Sequence, residues 1–121
     1  MKKTAIIGSN PKTNNYAFKA AQMLQAHGHE FVPIGIGAGE VLGQQILNIV
    51  DQPKVPELDT VTLYINPQRQ SDWYDYLISL EPKRIIFNPG TENQELKNKA
   101  ESAGIECVEA CTLVMLSVGN F

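Results

Sequence analysis

Directly behind the apolar run Thr4-Ala5-Ile6-Ile7, the residues Gly8-Ser9-Asn10-Pro11-Lys12 bring together a flexible backbone, a hydroxyl, an amide and a cation. That pattern points to anion binding. An apolar strand that breaks at a glycine and feeds a helix after a few polar residues leaves main-chain N–H groups at the positive end of a helix dipole, where phosphates bind. In such a turn Gly8 allows close backbone approach, Ser9 adds a hydroxyl donor and Lys12 reaches a second phosphate. The plainer reading, in which Gly8 only turns the chain and Lys12 is solvated surface, stays open, most of all for Lys12.

Further unusual loops follow apolar runs: Gly35-Ile36-Gly37-Ala38-Gly39, Asn66-Pro67 and Asn88-Pro89-Gly90. One crevice can collect them all. The glycine series keeps its loop thin enough for a flat adenine, or else it is a flexible surface loop. A dinucleotide fingerprint counted from Gly8 needs glycines where Asn10 and Thr13 stand, and an acidic residue where Ile34 and Gly35 stand. Nicotinamide and flavin dinucleotides therefore lose ground.

No catalytic assembly is visible. Ser9 has no base partner, and no spacing of His, Cys or carboxylates suggests a metal. His27 and His29 flank Gly28 at a helix end on the side away from the crevice, where a contact with the helix dipole is the simpler explanation. Cys107 and Cys111 sit on an extended segment that spans about 13 Å between them, too far for a disulfide without a turn, so both read as free thiols. Cys111 follows the last strand and can face the crevice, either as a small buried hydrophobe or as a functional thiol.

These residues must be positioned by a fold. Strands are expected at Thr4–Ile7, Glu30–Ile34, Thr60–Ile65, Arg84–Phe87 and Glu106–Val108, and runs such as Val61-Thr62-Leu63-Tyr64-Ile65 indicate strands covered on both faces. A first helix starts near Asn14 or Asn15, carries Ala17, Ala20, Ala21 and Leu24 inward, and stops at Gly28. A second runs from Ser71 to Leu80 with Trp73, Leu77 and Leu80 on one face. The last has a capping box in Thr91 and Gln94, a stripe of Leu96, Ala100 and Ala103, and a stop at Gly104. The segment from Glu40 to Val50 fits a short helix and an extended crossover equally. Repeated strand–helix–strand units predict an α/β fold, a doubly wound parallel sheet of five strands in the order 3-2-1-4-5. Its crevice lies at the carboxyl ends of strands 1, 2 and 4.

At 121 residues with 43% hydrophobic content, the chain is expected to form one domain over residues 1–121. A net charge of −3, with Lys and Arg scattered, argues against nucleic acid as a partner and leaves phosphate recognition to local groups. Met1-Lys2-Lys3 precedes only a strand-length apolar run, and no stretch reaches membrane-spanning length, so a cytoplasmic protein with no membrane partner is expected. The apolar tail Leu113–Phe121 either covers the core or forms a homodimer face.

With these residues placed, the chain resembles the small stand-alone CoA-binding proteins, whose Rossmann-like domain is similar to the CoA-binding domain of succinyl-CoA synthetase and of NDP-forming acyl-CoA synthetases. The likeness covers nearly the whole chain. It rests on Ile6-Ile7-Gly8-Ser9-Asn10-Pro11-Lys12, on His27-Gly28-His29-Glu30-Phe31-Val32-Pro33-Ile34, on Val41-Leu42-Gly43, on Pro56-Glu57-Leu58-Asp59-Thr60-Val61, and on Ala103-Gly104-Ile105-Glu106-Cys107-Val108 followed by Cys111. The family's usual Val-Asn-Pro is replaced by Ile34-Gly35-Ile36, its Gln-Xaa-Gly by Asn88-Pro89-Gly90, and the charged residues after its cysteine by Thr112-Leu113-Val114-Met115-Leu116.

What the resemblance implies is non-catalytic binding of coenzyme A or an acyl-CoA through its ADP moiety. The phosphates would lie on Gly8, Ser9, Asn10, Pro11 and Lys12, beside Tyr16. The adenosine would lie towards Gly35, Ile36, Asn66 and Pro67, with Asn88, Gly90 and Cys111 completing the contacts. Two alternatives accompany it: a redox or regulatory module in which Cys111 forms a mixed disulfide with the CoA thiol, and an accessory subunit of an acyl-CoA ligase.

Overall fold

Consecutive side chains are buried along β1 (Thr4–Ile7), β6 (Thr60–Leu63) and β7 (Arg84–Phe87), because each strand is covered from above and below. A computed structural model describes residues Met1–Phe121. The strands join β2 (Phe31–Gly35), β5 (Leu47–Asn48) and β8 (Glu106–Glu109) in a parallel sheet ordered β5-β2-β1-β6-β7-β8. This is the expected doubly wound α/β class.

One face carries Ala5, Ile7, Val61, Leu63, Ile85 and Phe87 against α3 (Tyr74–Ser79) and α4 (Gln94–Ser102), through Tyr76, Leu77, Leu96 and Ala100. On the other face, Ile6 and Phe31 meet Ala17, Phe18, Ala21 and Leu24 of α1 (Tyr16–Ala26) and Leu116 of α5 (Thr112–Val118). Ala17, Ala20 and Ala21 of α1 are buried, which lets that helix lie close on the sheet.

Strand order is where sequence and structure part. The Thr60 strand pairs with β1 from Thr4↔Thr60 to Ile7↔Leu63, not with the Phe31 strand as the order 3-2-1-4-5 required. The place beside β2 belongs to β5, a strand of two largely exposed residues inside the undecided Glu40–Val50 segment. Such a strand has no apolar run to announce it. That segment is neither helix nor plain crossover: β3 (Glu40–Val41) and β4 (Gln44–Gln45) form an antiparallel hairpin before β5. Its turn residues Leu42 and Gly43 both have positive φ, 50° and 83°, the requirement of a tight two-residue hairpin.

Other boundaries also shifted. Asn15 caps α1 by accepting from the Ala17 N–H, as one of the two expected caps. The helix expected over Ser71–Leu80 begins earlier, as α2 (Pro67–Gln70) behind an Asn66 cap with proline in the first position, and passes through a 3₁₀ turn at Ser71–Trp73 into α3. In α4 the capping side chain is Asn93, while Thr91 Oγ1 donates to the Asn88 carbonyl. The tail forms α5, whose Met115 and Leu116 cover the core while Val114 and Val118 stay exposed.

Candidate functional site

Gly8 ends β1 with φ +100°, and a Cβ there would stand 2.9 Å from the Tyr64 carbonyl oxygen and from Ile65 Cγ2. Only glycine fits. The turn it opens is largely committed internally: the Gly8 and Ser9 N–H groups both donate to the Ile34 carbonyl, at 2.9 and 3.0 Å. Ser9 Oγ donates inward to the Ile6 carbonyl at 2.8 Å, and the Lys12 N–H donates to Asn10 Oδ1 at 2.9 Å. Asn10 keeps an N–H with no acceptor in the protein. The turn therefore offers an anion fewer donors than its sequence suggested, because β2 lies close enough to consume two of them.

The second loop packs on the first. A Cβ at Gly35 would come within 2.5 Å of the Ser9 carbonyl oxygen, and one at Gly39, where φ is +135°, within 3.0 Å of Pro11 Cγ. Where the two loops diverge from the β6 end, a crevice of 240 Å³ opens, lined by Gly8, Ser9, Asn10 and the Gly35-Ile36-Gly37 backbone on one side. The segment Tyr64-Ile65-Asn66, with Ile49, Arg69 and Trp73, completes its walls. It sits at the carboxyl ends of β1, β2 and β6, the point where connections leave to opposite sides of the sheet. Lys12 and Pro67 are not among its lining residues: Lys12 points to solvent, and Pro67 serves as the first residue of α2.

Two further depressions adjoin it. Tyr16, Tyr64, Asn88, Pro89, Cys111 and Leu113 enclose a mostly apolar slot of 270 Å³. A shallower hollow of 340 Å³ runs between Tyr16, Asn66 and Gly90. Tyr64 lines all three. Its hydroxyl is shielded from solvent without a hydrogen-bond partner, and the Thr62 and Thr112 hydroxyls bond to each other at 2.8 Å. Burial pushes the phenol up to about 12, so it stays neutral.

Asn88 has no side-chain group left for a ligand. Its Nδ2 donates to Thr62 Oγ1 at 2.7 Å and to the Leu63 carbonyl at 2.8 Å, and its Oδ1 accepts from the Thr112 N–H at 2.8 Å. It ties β6, β7 and α5 together beneath the slot. Gln70, with no exposed surface, plays the same part on the other side. Its Nε2 donates to the Ile65 and Thr91 carbonyls and its Oε1 accepts from Asn93 Nδ2, which fixes α2 against the loop after β7.

The sequence reading missed Tyr64, Arg69 and Trp73. The signal available was the Arg69-Gln70-Ser71-Asp72-Trp73 spacing directly behind Asn66-Pro67, a cation and an aromatic four residues apart at a helix start. Cys107 and Cys111 are both free, and burial raises the Cys107 thiol to about 11, which keeps it protonated near neutral pH.

A family model for the CoA binding domain matches residues 2–117. The chain belongs to this family. Among solved structures, the crystal structure of an uncharacterized protein is similar at 58% identity and a TM-score of 0.97, covering 100% of this chain and 98% of that one. A hypothetical protein from Pyrococcus horikoshii OT3 is 26% identical with a TM-score of 0.84, covering 97% of this chain and 82% of that one. The dinucleotide-forming acetyl-coenzyme A synthetase 1 of Ca. Korarchaeum cryptofilum, in complex with phosphate and ADP, shares the fold at 18% identity and a TM-score of 0.68. The match covers 90% of this chain and 25% of that synthetase. No curated protein matches. For this CoA-binding domain, no helix is long and apolar enough to cross a membrane.

Proposed function

We propose that this CoA-binding domain holds coenzyme A or an acyl-CoA at the carboxyl ends of β1, β2 and β6, without performing chemistry on it. One observation carries the reading: a polar crevice and an apolar slot meet at Tyr64, and the two halves of CoA differ in the same way. The ADP moiety is anionic and carries a flat base; the crevice supplies a thin backbone wall at Gly35 and Gly37, a free Asn10 N–H and a cation at Arg69. The pantetheine arm and acyl group are long and weakly polar. The slot past Tyr64 towards Leu113 suits them.

Isothermal titration with CoA, acetyl-CoA, ADP and NAD tests the proposal. Binding of CoA or acetyl-CoA in preference to NAD is expected. A preference for NAD, or no binding of any CoA species at millimolar concentration, rejects it.

A second reading is favoured by Cys111, whose free thiol lines the same slot. In this reading the Cys111 thiolate attacks a CoA disulfide, one CoA leaves as its thiol, and the other stays bound to Sγ as a mixed disulfide. Intact mass after exposure to oxidised CoA should gain one CoA-sized addition, absent from Cys111→Ser. An unchanged parent mass rejects this reading and leaves the first standing.

A further inference from the structure

Arg69 belongs to α2 and Trp73 to the 3₁₀ turn that continues it, so the two side chains lie one helical turn apart and both line the crevice. The guanidinium is unspent. The ion pairs of the chain are Lys3–Glu30 and Lys83–Asp59, both at the opposite end of the sheet, and the one side-chain hydrogen bond at Arg69 is made by its backbone N–H, which donates to Asn66 Oδ1. Trp73 is half-buried, packed on the core while it also lines the crevice. Gln70, between them, is locked to the Ile65 and Thr91 carbonyls, so the segment is held rigidly in place.

Two consequences follow from charge and hydrogen bonding. With the Gly8 and Ser9 amides donating to Ile34, the crevice has one full positive charge among its lining residues, and that charge is Arg69. A planar indole beside a guanidinium suits a ligand that presents an aromatic ring and a phosphate a short distance apart. Nucleotides have that shape. Resting on the reading above, we propose that Arg69 and Trp73 determine the ligand class of this crevice: Arg69 takes a phosphate of an adenine nucleotide and Trp73 stacks on its base.

Trp73 is the sole tryptophan of the chain, so its fluorescence reports directly on the crevice. Titrations with CoA, dephospho-CoA and adenosine, followed by fluorescence and calorimetry, are to be run on the parent protein, Arg69→Gln, Arg69→Lys and Trp73→Leu. In the parent, CoA should perturb Trp73. Arg69→Gln should weaken the phosphate-bearing ligands roughly tenfold or more and flatten their salt dependence, with Arg69→Lys intermediate and adenosine unaffected. Arg69 is exposed, so an unchanged melting curve for Arg69→Gln is expected and shows that the loss is local. A dephospho-CoA affinity insensitive to Arg69 would identify the 3′-phosphate as the group held; equal sensitivity would identify the diphosphate.

The proposal is overturned when calorimetry shows CoA bound while Trp73 fluorescence is unmoved and Arg69→Gln binds within about twofold of the parent. The two readings fail separately. Should the parent ignore CoA but respond to ADP or ATP in an Arg69-dependent way, the CoA assignment falls and the Arg69–Trp73 pair stands. Silence towards every nucleotide at millimolar concentration removes both.

Discussion

Gly35 presses on Ser9: the space a Cβ would need at residue 35 is already filled by the Ser9 carbonyl oxygen, 2.5 Å away. This contact sets the floor of the crevice, because it holds the loop after β2 on the turn after β1. Gly35→Ala must push the two loops apart and should cost about 1–3 kcal/mol of unfolding free energy. The family's usual asparagine at this place, introduced as Gly35→Asn, should cost more. Urea denaturation of the two variants checks the order; an unperturbed Gly35→Asn would mean that the contact is soft.

Tyr64→Phe tests the opposite sign. The Tyr64 hydroxyl is shielded from water and makes no hydrogen bond, so deleting it removes a desolvation cost with almost no loss of packing. Equal or higher stability, by up to about 1 kcal/mol, is expected in the same assay. A marked loss would show that the phenol is hydrogen-bonded in solution.

Asn88→Ala should be among the costly polar substitutions. It strands the Thr112 N–H and the Leu63 carbonyl in a buried place, leaves Thr62 Oγ1 with the Thr112 hydroxyl alone, and should cost about 2–3 kcal/mol. Because the same change frees α5 from the sheet, hydrogen exchange should accelerate at Thr112 before it does in β1. Uniform exchange would contradict this.

His29 makes stability depend on pH. Its Nδ1 accepts from the Lys2 N–H at 2.9 Å, which requires the neutral ring. Burial first, then the charges of the N-terminus, His27, Lys2 and Arg84, hold its pKa below the ordinary histidine value of 6.5. The folded state therefore binds fewer protons than the unfolded one near and below that value, so stability rises with pH through this window and is lost as pH falls from 6.5 through the folded pKa. The effect is modest, since the ring is partly exposed. Urea midpoints between pH 7.5 and 5 should fall more steeply for the parent than for His29→Gln; parallel slopes would remove His29 as the cause.

Gln70→Ala should act on binding as well as on folding, since Gln70 is fully buried and its loss strands its three partners. It releases α2 from the Ile65 and Thr91 carbonyls and lets Arg69 and Trp73 drift. CoA affinity should fall several-fold with Trp73 fluorescence anisotropy reduced in the free protein. Unchanged affinity would show that the α2 segment needs no such anchor.

Much of this protein could be read from residues near each other in the chain. The apolar runs of β1, β6 and β7, the Asn15 cap, the stops at Gly28 and Gly104 and the break at Gly8 all depend on preferences that act over a few residues. The motif order that marks the CoA-binding family is likewise written along the chain.

Other features had no local signal. β5 is two exposed residues, and only its pairing of Leu47 with Ile34 makes it a strand; once it takes that edge, the Thr60 strand must lie on the far side of β1. The same proximity of β2 turns the Ile34 carbonyl into the acceptor for the Gly8 and Ser9 amides, which leaves Arg69 as the one full positive charge lining the crevice. Sequence specifies where a chain turns and which residues seek burial. Which donors are already satisfied, and which cation ends beside which aromatic ring, is decided by strands that meet only when the sheet is assembled.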